Sequence, residues 1–353
     1  MKKLQCNISL DLDNQWAYMK THGDAGWEKY PSYLDRFVPY VLDLFDELDI
    51  KATFFVVGQD AARDENKEEI KKIADRGHDI ANHSFSHDPY FKWYSDREIE
   101  QEIRTTEDHL LGITGKKPVG FRGPGFTWSP SLLNILAQND YLYDATIFPT
   151  FLGPLARAFY FRTANMSAAE KSKLDGLYGD FSNGFRSLRP WYWKLAAGKK
   201  LLEIPVSTMP FFRTPFHMTW LIYLNSFSQR LTRLYLDSVI HSCRLTNTDL
   251  SFLLHPLDII GKDQVPELAY FPGMEAASQT KSDFFRATIK TIKNHFELSS
   301  LEEHARQVVH HGDLPVVDLI PSQTMAVGAK HSPQRFSLVS MNHAKNASPI
   351  LKT

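Results

Sequence analysis

Across residues 31–48, apolar side chains fall at Leu34, Phe37, Val38, Val41, Leu42, Phe45 and Leu48, the three-and-four spacing of one helix face. Before it, in residues 7–13, Ile8, Leu10 and Leu12 alternate with Ser9, Asp11 and Asp13, which is the period of a strand. After it comes a short apolar run, 52–57, bounded by Gly58. These three pieces form a strand, helix, strand unit. The pattern then repeats: a charged helix over 65–76 closed by Gly77, a strand over 79–81 and an exposed helix over 96–111. Farther on, 201–206 reads as a strand, 281–296 as a helix, and 301–309 as a last helix that ends the fold. Alternation of this kind predicts an α/β fold with parallel strands.

With 353 residues and 43% hydrophobic content, the chain can bury a large core. One domain over residues 1–320 is expected, with a divergent insertion or cap over 150–250. The stretch 321–353 is rich in Ser, Pro, Asn, Lys and His without periodicity, and is expected to be a disordered tail. The net charge of −1 conceals an asymmetry, since residues 151–235 hold twelve Lys/Arg against four Asp/Glu. That stretch also carries Phe159-Tyr160-Phe161, Trp191-Tyr192-Trp193, Phe211-Phe212-Arg213 and Trp220-Leu221-Ile222-Tyr223-Leu224. Aromatic and basic residues together suit a peripheral membrane contact or a phosphate-bearing lipid carrier. They equally suit an insertion packed on the barrel, or a rim that stacks sugar rings. No nucleic-acid partner is expected. No signal peptide precedes the first strand and no apolar run is long enough to span a bilayer, so a cytoplasmic protein is expected, with the inner face of the membrane as a place of action. Cys6 and Cys243 give no disulfide framework and suit a reducing compartment.

Chemistry enters at Asn82-His83-Ser84-Phe85-Ser86-His87, where two imidazoles stand four residues apart after a turn at residues 76–79. If the stretch turns helically, the two lie on one face roughly 5–6 Å apart and suit one divalent cation. Fourteen histidines in the chain make such a pair weak by itself. The first strand adds two carboxylates, Asp11 and Asp13, at positions that share a face. One carboxylate with two imidazoles and an open position is a usual ligand set for hydrolytic Zn²⁺, and leaves the other carboxylate free as a base. Late in the chain, His255 follows the apolar run 250–254, a strand-end position of the kind where barrel active sites collect. Asp258, three residues on, either orients His255 or caps a turn, and Asp144 is either a site carboxylate or a turn residue.

In order, the chain shows Ser-Leu-Asp-Leu-Asp (9–13), Lys-Ala-Thr-Phe-Phe-Val-Val-Gly (51–58), Gly-His-Asp-Ile-Ala-Asn-His-Ser-Phe-Ser-His (77–87), Phe-Arg-Gly-Pro-Gly-Phe (121–126) and Leu-Leu-His-Pro (253–256). Together these motifs resemble the polysaccharide deacetylase family, the NodB-homology domain of carbohydrate esterase family 4. They span roughly residues 4–315, with little matching in 150–250. The resemblance implies a distorted (β/α) barrel of fewer than eight regular units, with a metal site at the C-terminal ends of the strands. It implies Asp11 as general base, Asp13, His83 and His87 as metal ligands, Arg122 as the residue orienting the base, Gly125 N–H as an oxyanion contact and His255 as general acid. Two departures stand out. The family's adjacent aspartates are here Asp-Leu-Asp-Asn, and its Arg-Pro-Pro is here Arg-Gly-Pro. Zn²⁺ is the default ion, while Co²⁺, Ni²⁺ or Mn²⁺ fit the same donors.

The expected activity is metal-dependent hydrolysis of an N-acetyl group on a sugar, in a precursor or lipid-linked glycan of surface-polysaccharide synthesis. Two alternatives stay open: a deformylase or cyclic-amide hydrolase using the same site, and a non-catalytic glycan-binding protein. A base and an acid kept beside the ligands argue against the last.

Overall fold

The structure, a computed structural model, describes residues 3–88, 90–155 and 179–319. The expected tail over 321–353 and the part of the insertion over 156–178 lie outside the described residues.

Strand β1 (Leu4–Leu12) is the axis of the fold. Along one edge, its residues Cys6 to Leu10 pair in parallel with β8 (Leu250–Leu254). The other edge is shared end to end. Leu4 to Ile8 pair with β9 (Phe296–Ser300), and Ser9 to Leu12 pair with β2 (Thr53–Val56). Thr53 Oγ1 accepts from Leu301 N at 3.0 Å where the two meet. From β2 the sheet continues in parallel through β3 (Asp79–Asn82), β4 (Gly120–Phe121), β5 (Tyr143–Asp144) and β7 (Lys200–Glu203). It ends on β6 (Trp191–Lys194), antiparallel to β7, and β10 (Val316–Asp318).

The ladder does not close, which qualifies the expected barrel. The chain beyond β7 nevertheless crosses toward β8, where Ser207 N donates to Ser251 O at 3.1 Å and Ser207 Oγ accepts from Ser251 N at 2.7 Å. A distorted, incompletely closed (β/α) barrel results, matching the expected fold class.

Helices cover the sheet for the reasons periodicity gives. Helix α2 (Leu34–Glu47) buries Leu34, Phe37, Val38, Val41, Leu42, Leu44 and Phe45. Against it packs α4 (Asp64–Asp75), preceded by the single turn α3 (Gly58–Ala61), and against α4 packs α5 (Asp96–Thr114). Ser95 and Glu98 form a reciprocal capping box at the start of α5, and Gly115 at φ 69 ends it in the left-handed conformation. Two expectations are corrected. The helix over 301–309 does not end the fold, because β10 follows it and pairs with β6. The helix over 281–296 is α9 (Ser278–Lys293), and Phe296 opens β9 instead, because strand pairing with Leu4 takes its fully buried ring.

Every parallel strand runs in one direction, so the residues that follow β1, β3, β4 and β8 share one rim. Asp13, His83, Arg122 and His255 occupy those positions.

Candidate active site

Asp11 lies within β1 and Asp13 just beyond it, both buried. Their carboxylates serve different neighbours. Asp13 Oδ1 sits 3.5 Å from His83 Nε2 and 3.0 Å from His87 Nε2. These donor atoms all lie within 4.8 Å of one another. His83 Nδ1 is 2.7 Å from the Arg122 carbonyl, so Nδ1 carries the hydrogen and Nε2 presents a lone pair. Asp13 Oδ1 is buried and accepts no hydrogen bond. A bare carboxylate oxygen faced by imidazole nitrogens is the donor set that a divalent cation completes, so the three residues fit one. Burial would raise the Asp13 carboxyl, but the charge of the His87 and His83 imidazoles, when protonated, outweighs it and holds the group well below the usual carboxylate range, the effect a bound cation would also have.

The histidine pair does not come from a helix, which corrects the helical expectation. Residues 83–87 form a loop in which Ser84 (φ 61) and His87 (φ 45) take left-handed conformations. What substitutes for helical spacing is a set of clamps. The N–H groups of Gly58 and Gln59 donate to Ser84 O and Phe85 O at 2.8 and 2.9 Å. Glu102 of α5 accepts from Phe85 N, Ser86 N and Ser86 Oγ at 2.7–2.8 Å. Lys20 Nζ, on α1 (Gln15–His22), donates to Ser86 O at 2.8 Å. A Cβ on Gly58 would lie 2.3 Å from Thr106 Oγ1 and 2.7 Å from Phe85 Cδ2, so only glycine lets α3 approach this loop.

Arg122 is fully buried and organises the other half. Its Nη1 donates to Asp11 Oδ1 at 2.6 Å and to Ser9 Oγ at 3.0 Å, and its Nε donates to Ala145 O at 2.9 Å. The guanidinium carbon stands 4.2 Å from the Phe55 ring centroid. Breaking such a buried pair leaves an uncompensated charge, at about 3–5 kcal/mol. The departure to Arg-Gly-Pro has a local cause. Gly123 N donates to Thr146 Oγ1 at 2.9 Å, which proline cannot do, and a Cβ there would lie 2.0 Å from Thr127 O. In the same turn Gly125, at φ 58, donates its N–H to no acceptor among the described residues.

On the far side, His255 Nε2 lies 3.9 Å from Asp11 Oδ2. Asp258 does both things open to it. Its Oδ2 accepts from His255 N at 2.8 Å, closing the turn, and lies 3.7 Å from His255 Nδ1. Burial would lower the His255 pKa, but the hydrogen bond and charge of Asp258, with Asp11 and Asp13, push it up to about 9. Asp144 does not join this group. It is fully buried against Glu203, accepts from Thr146 Oγ1 at 2.5 Å, and burial pushes its carboxyl up to about 6.

Glu102 and Thr219 carry no motif in the sequence, while Ser9 shares the polar face of β1 with Asp11 and Asp13. Thr219 Oγ1 sits 3.3 Å from His255 Nδ1 and donates to Asp258 Oδ2 at 3.1 Å. It arrives on α7 (Met218–Phe227), inside the stretch where no motif was legible.

Residues 24–143 match the polysaccharide deacetylase family, a span that includes His83, His87, Arg122 and Gly125 but not Asp11, Asp13 or His255. Among curated proteins, a peptidoglycan-N-acetylglucosamine deacetylase of Bacillus cereus is 36% identical over 89 residues, 25% of this chain and 31% of that one. A peptidoglycan deacetylase of Helicobacter pylori is 26% identical over 153 residues, 41% of this chain and 50% of that one. The chain thus spans about a third to a half of the length of these relatives. Among solved structures, one from Mycobacterium smegmatis assigned to the polysaccharide deacetylases superposes with a TM-score of 0.59 at 19% identity, covering 91% of this chain and 96% of that one. The allantoinase PuuE superposes at 0.52 and 16%, covering 87% and 91%. At these identities the likeness is one of fold.

Proposed function

We propose, from the match of residues 24–143 to the polysaccharide deacetylase family and the geometry of the site, that this chain is a metal-dependent hydrolase that removes an N-acetyl group from a sugar. The observation that carries the reading is the division of labour between the two aspartates. Asp13 faces two imidazole nitrogens, while Asp11, two residues away, is held by Arg122 and faced by His255. A binding protein has no use for the second half of that arrangement.

Asp13, His83 and His87 would hold the cation, with Zn²⁺ the expected ion. When bound, such an ion supplies Lewis acidity toward the acyl oxygen and lowers the pKa of a water from about 15.7 toward 7. Asp11, oriented by Arg122, accepts the proton of the attacking water as its oxygen bonds to the acyl carbon. Gly125 N–H is free to donate to the oxygen that becomes negative, a contact of a kind worth on the order of 10²–10³ in rate. His255 gives its proton to the sugar nitrogen as the carbon–nitrogen bond breaks, leaving carboxylate and amine.

The sugar acted on is proposed to belong to a precursor or lipid-linked glycan of surface-polysaccharide synthesis. The test is acetate and formate release from N-acetylated and N-formylated sugars, free and lipid-linked, with an Asp11→Asn variant alongside. Acetate release by wild type alone is the expected result. Formate release or ring opening of a cyclic amide would replace the acyl group in this reading, and no turnover from metal-loaded protein would overturn it. His83→Ala should lose bound metal, whereas Asp11→Asn should keep it. An Asp11→Asn protein without metal would mean the two aspartates are exchanged.

A further inference from the structure

Helix α7 contains no charged residue, and its last turns leave Tyr223 and Phe227 exposed, Phe227 at 68%. It runs directly into α8 (Gln229–Thr246), whose first turns expose Leu231 and Leu234. Beside them stands the turn over 209–214. Tyr235 of α8 donates to Pro215 O at 2.6 Å and pairs with Thr214 Oγ1 at 2.9 Å, which fixes the turn against the helix. At its tip Phe211 and Phe212 are 69% and 71% exposed. Phe211 (φ 71) and Arg213 (φ 57) both take the left-handed conformation that non-glycine residues avoid, so a strained backbone is kept where two phenyl rings project into solvent.

Cations stand among these apolar side chains. Several exposed arginines elsewhere are paired, as in Arg76 with Asp43 and Asp46, Arg286 with Glu47 and Arg306 with Glu302. Arg230 and Arg233, exposed between the apolar side chains of α8, have no acidic partner among the described residues. Unpaired guanidinium groups interleaved with phenylalanine and leucine fit one partner chemistry: anionic headgroups above hydrocarbon. A glycan would be met by rings with polar edges, and leucine offers no ring to stack on a sugar.

We propose that the face built from the 209–214 turn, the end of α7 and the start of α8 docks this protein on an anionic lipid bilayer. The contact is peripheral, since no helix among the described residues is long and apolar enough to cross a membrane. The same helix α7 brings Thr219 to His255, so the docked face and the site adjoin through a single element. That the site thereby meets its glycan at the membrane surface rests on the deacetylase reading, but the docking itself does not.

The test is co-sedimentation of the full chain with phosphatidylcholine vesicles, with and without phosphatidylglycerol, as salt is raised. Alongside run the variants Arg230→Glu/Arg233→Glu and Phe212→Ser/Phe227→Ser, with circular dichroism as a check on folding. The expected result is salt-sensitive binding to the anionic vesicles only, weakened about tenfold or more by each double variant. Absence of wild-type binding, or charge-reversed protein that binds as well as wild type, would overturn the proposal. So would retention by a soluble acidic polysaccharide in place of vesicles, which would assign the face to a glycan. No hydrolytic activity enters the readout, so failure here and failure of the deacetylase reading are distinguishable.

Discussion

Asp11 and Asp13 are separated by one residue and differ in every neighbour that matters. Arg122 and His255 face the first, two imidazole nitrogens face the second, and chemistry follows from that difference alone. His255 supplies a pH signature. Its pKa is pushed up to about 9, so the protonated form proposed as the acid is present below that value and disappears above it. The kcat/KM profile should therefore fall on its alkaline side as pH passes through that range. Asp258→Asn should move this limb to lower pH, because the largest contribution raising the pKa is removed. A limb left in place would mean another group sets it. Asp60 offers a test of stability. Its Oδ1 accepts from Asn14, Trp16 and Asn66, its Oδ2 has no partner, and burial pushes the carboxyl up to about 7. Between the ordinary carboxylate value and about 7 the folded state holds a proton that the unfolded state has lost, so stability falls as pH rises across that window. Asp60→Asn should match wild type in urea unfolding near pH 4 and exceed it by on the order of 1 kcal/mol at pH 8.

Elements place these residues, and they differ in how far local sequence reveals them. The clamp on the 83–87 loop belongs to α5 through Glu102. Glu102→Ala should leave the helix intact yet weaken metal binding by about 10–100-fold, as loss of an outer-shell support does, measured by competition with a chromogenic chelator. Unchanged affinity would show that the α3 amides hold the loop alone. Helices α2, α4 and α5 were legible because their apolar stripes are local. The candidate site residues are visible in the sequence because their motifs sit at strand ends, and the structure brings Asp11, Asp13, His83, His87, Arg122 and His255 together. Less could be seen where pairing partners are remote. Phe296 looks like the end of a helix until Leu4, nearly three hundred positions away, takes it into a sheet. The His83–His87 spacing suggests a helical turn, but Gly58, Gln59 and Glu102 bend it into a loop. Thr219 sits in a stretch without motif, and only the packing of α7 against the turn after β8 brings it to His255.

At the scale of the molecule, an incompletely closed barrel gathers the residues after β1, β3, β4 and β8 at one rim, and Ser207 joining Ser251 brings the chain beyond β7 back to β8. Lys281 on α9 steadies the late part of that rim, donating to Leu257 O at 2.7 Å and Ile260 O at 2.9 Å on either side of Asp258. The central claim is that a cation on Asp13, His83 and His87 and a base at Asp11 hydrolyse an amide on a sugar. Its most direct test is acetate release from an N-acetylated sugar by the protein as purified, after exhaustive chelation, and after return of Zn²⁺. Turnover that vanishes with the metal and returns with it, in wild type but not in Asp11→Asn, is the predicted result. Undiminished release by the chelated protein would contradict the account.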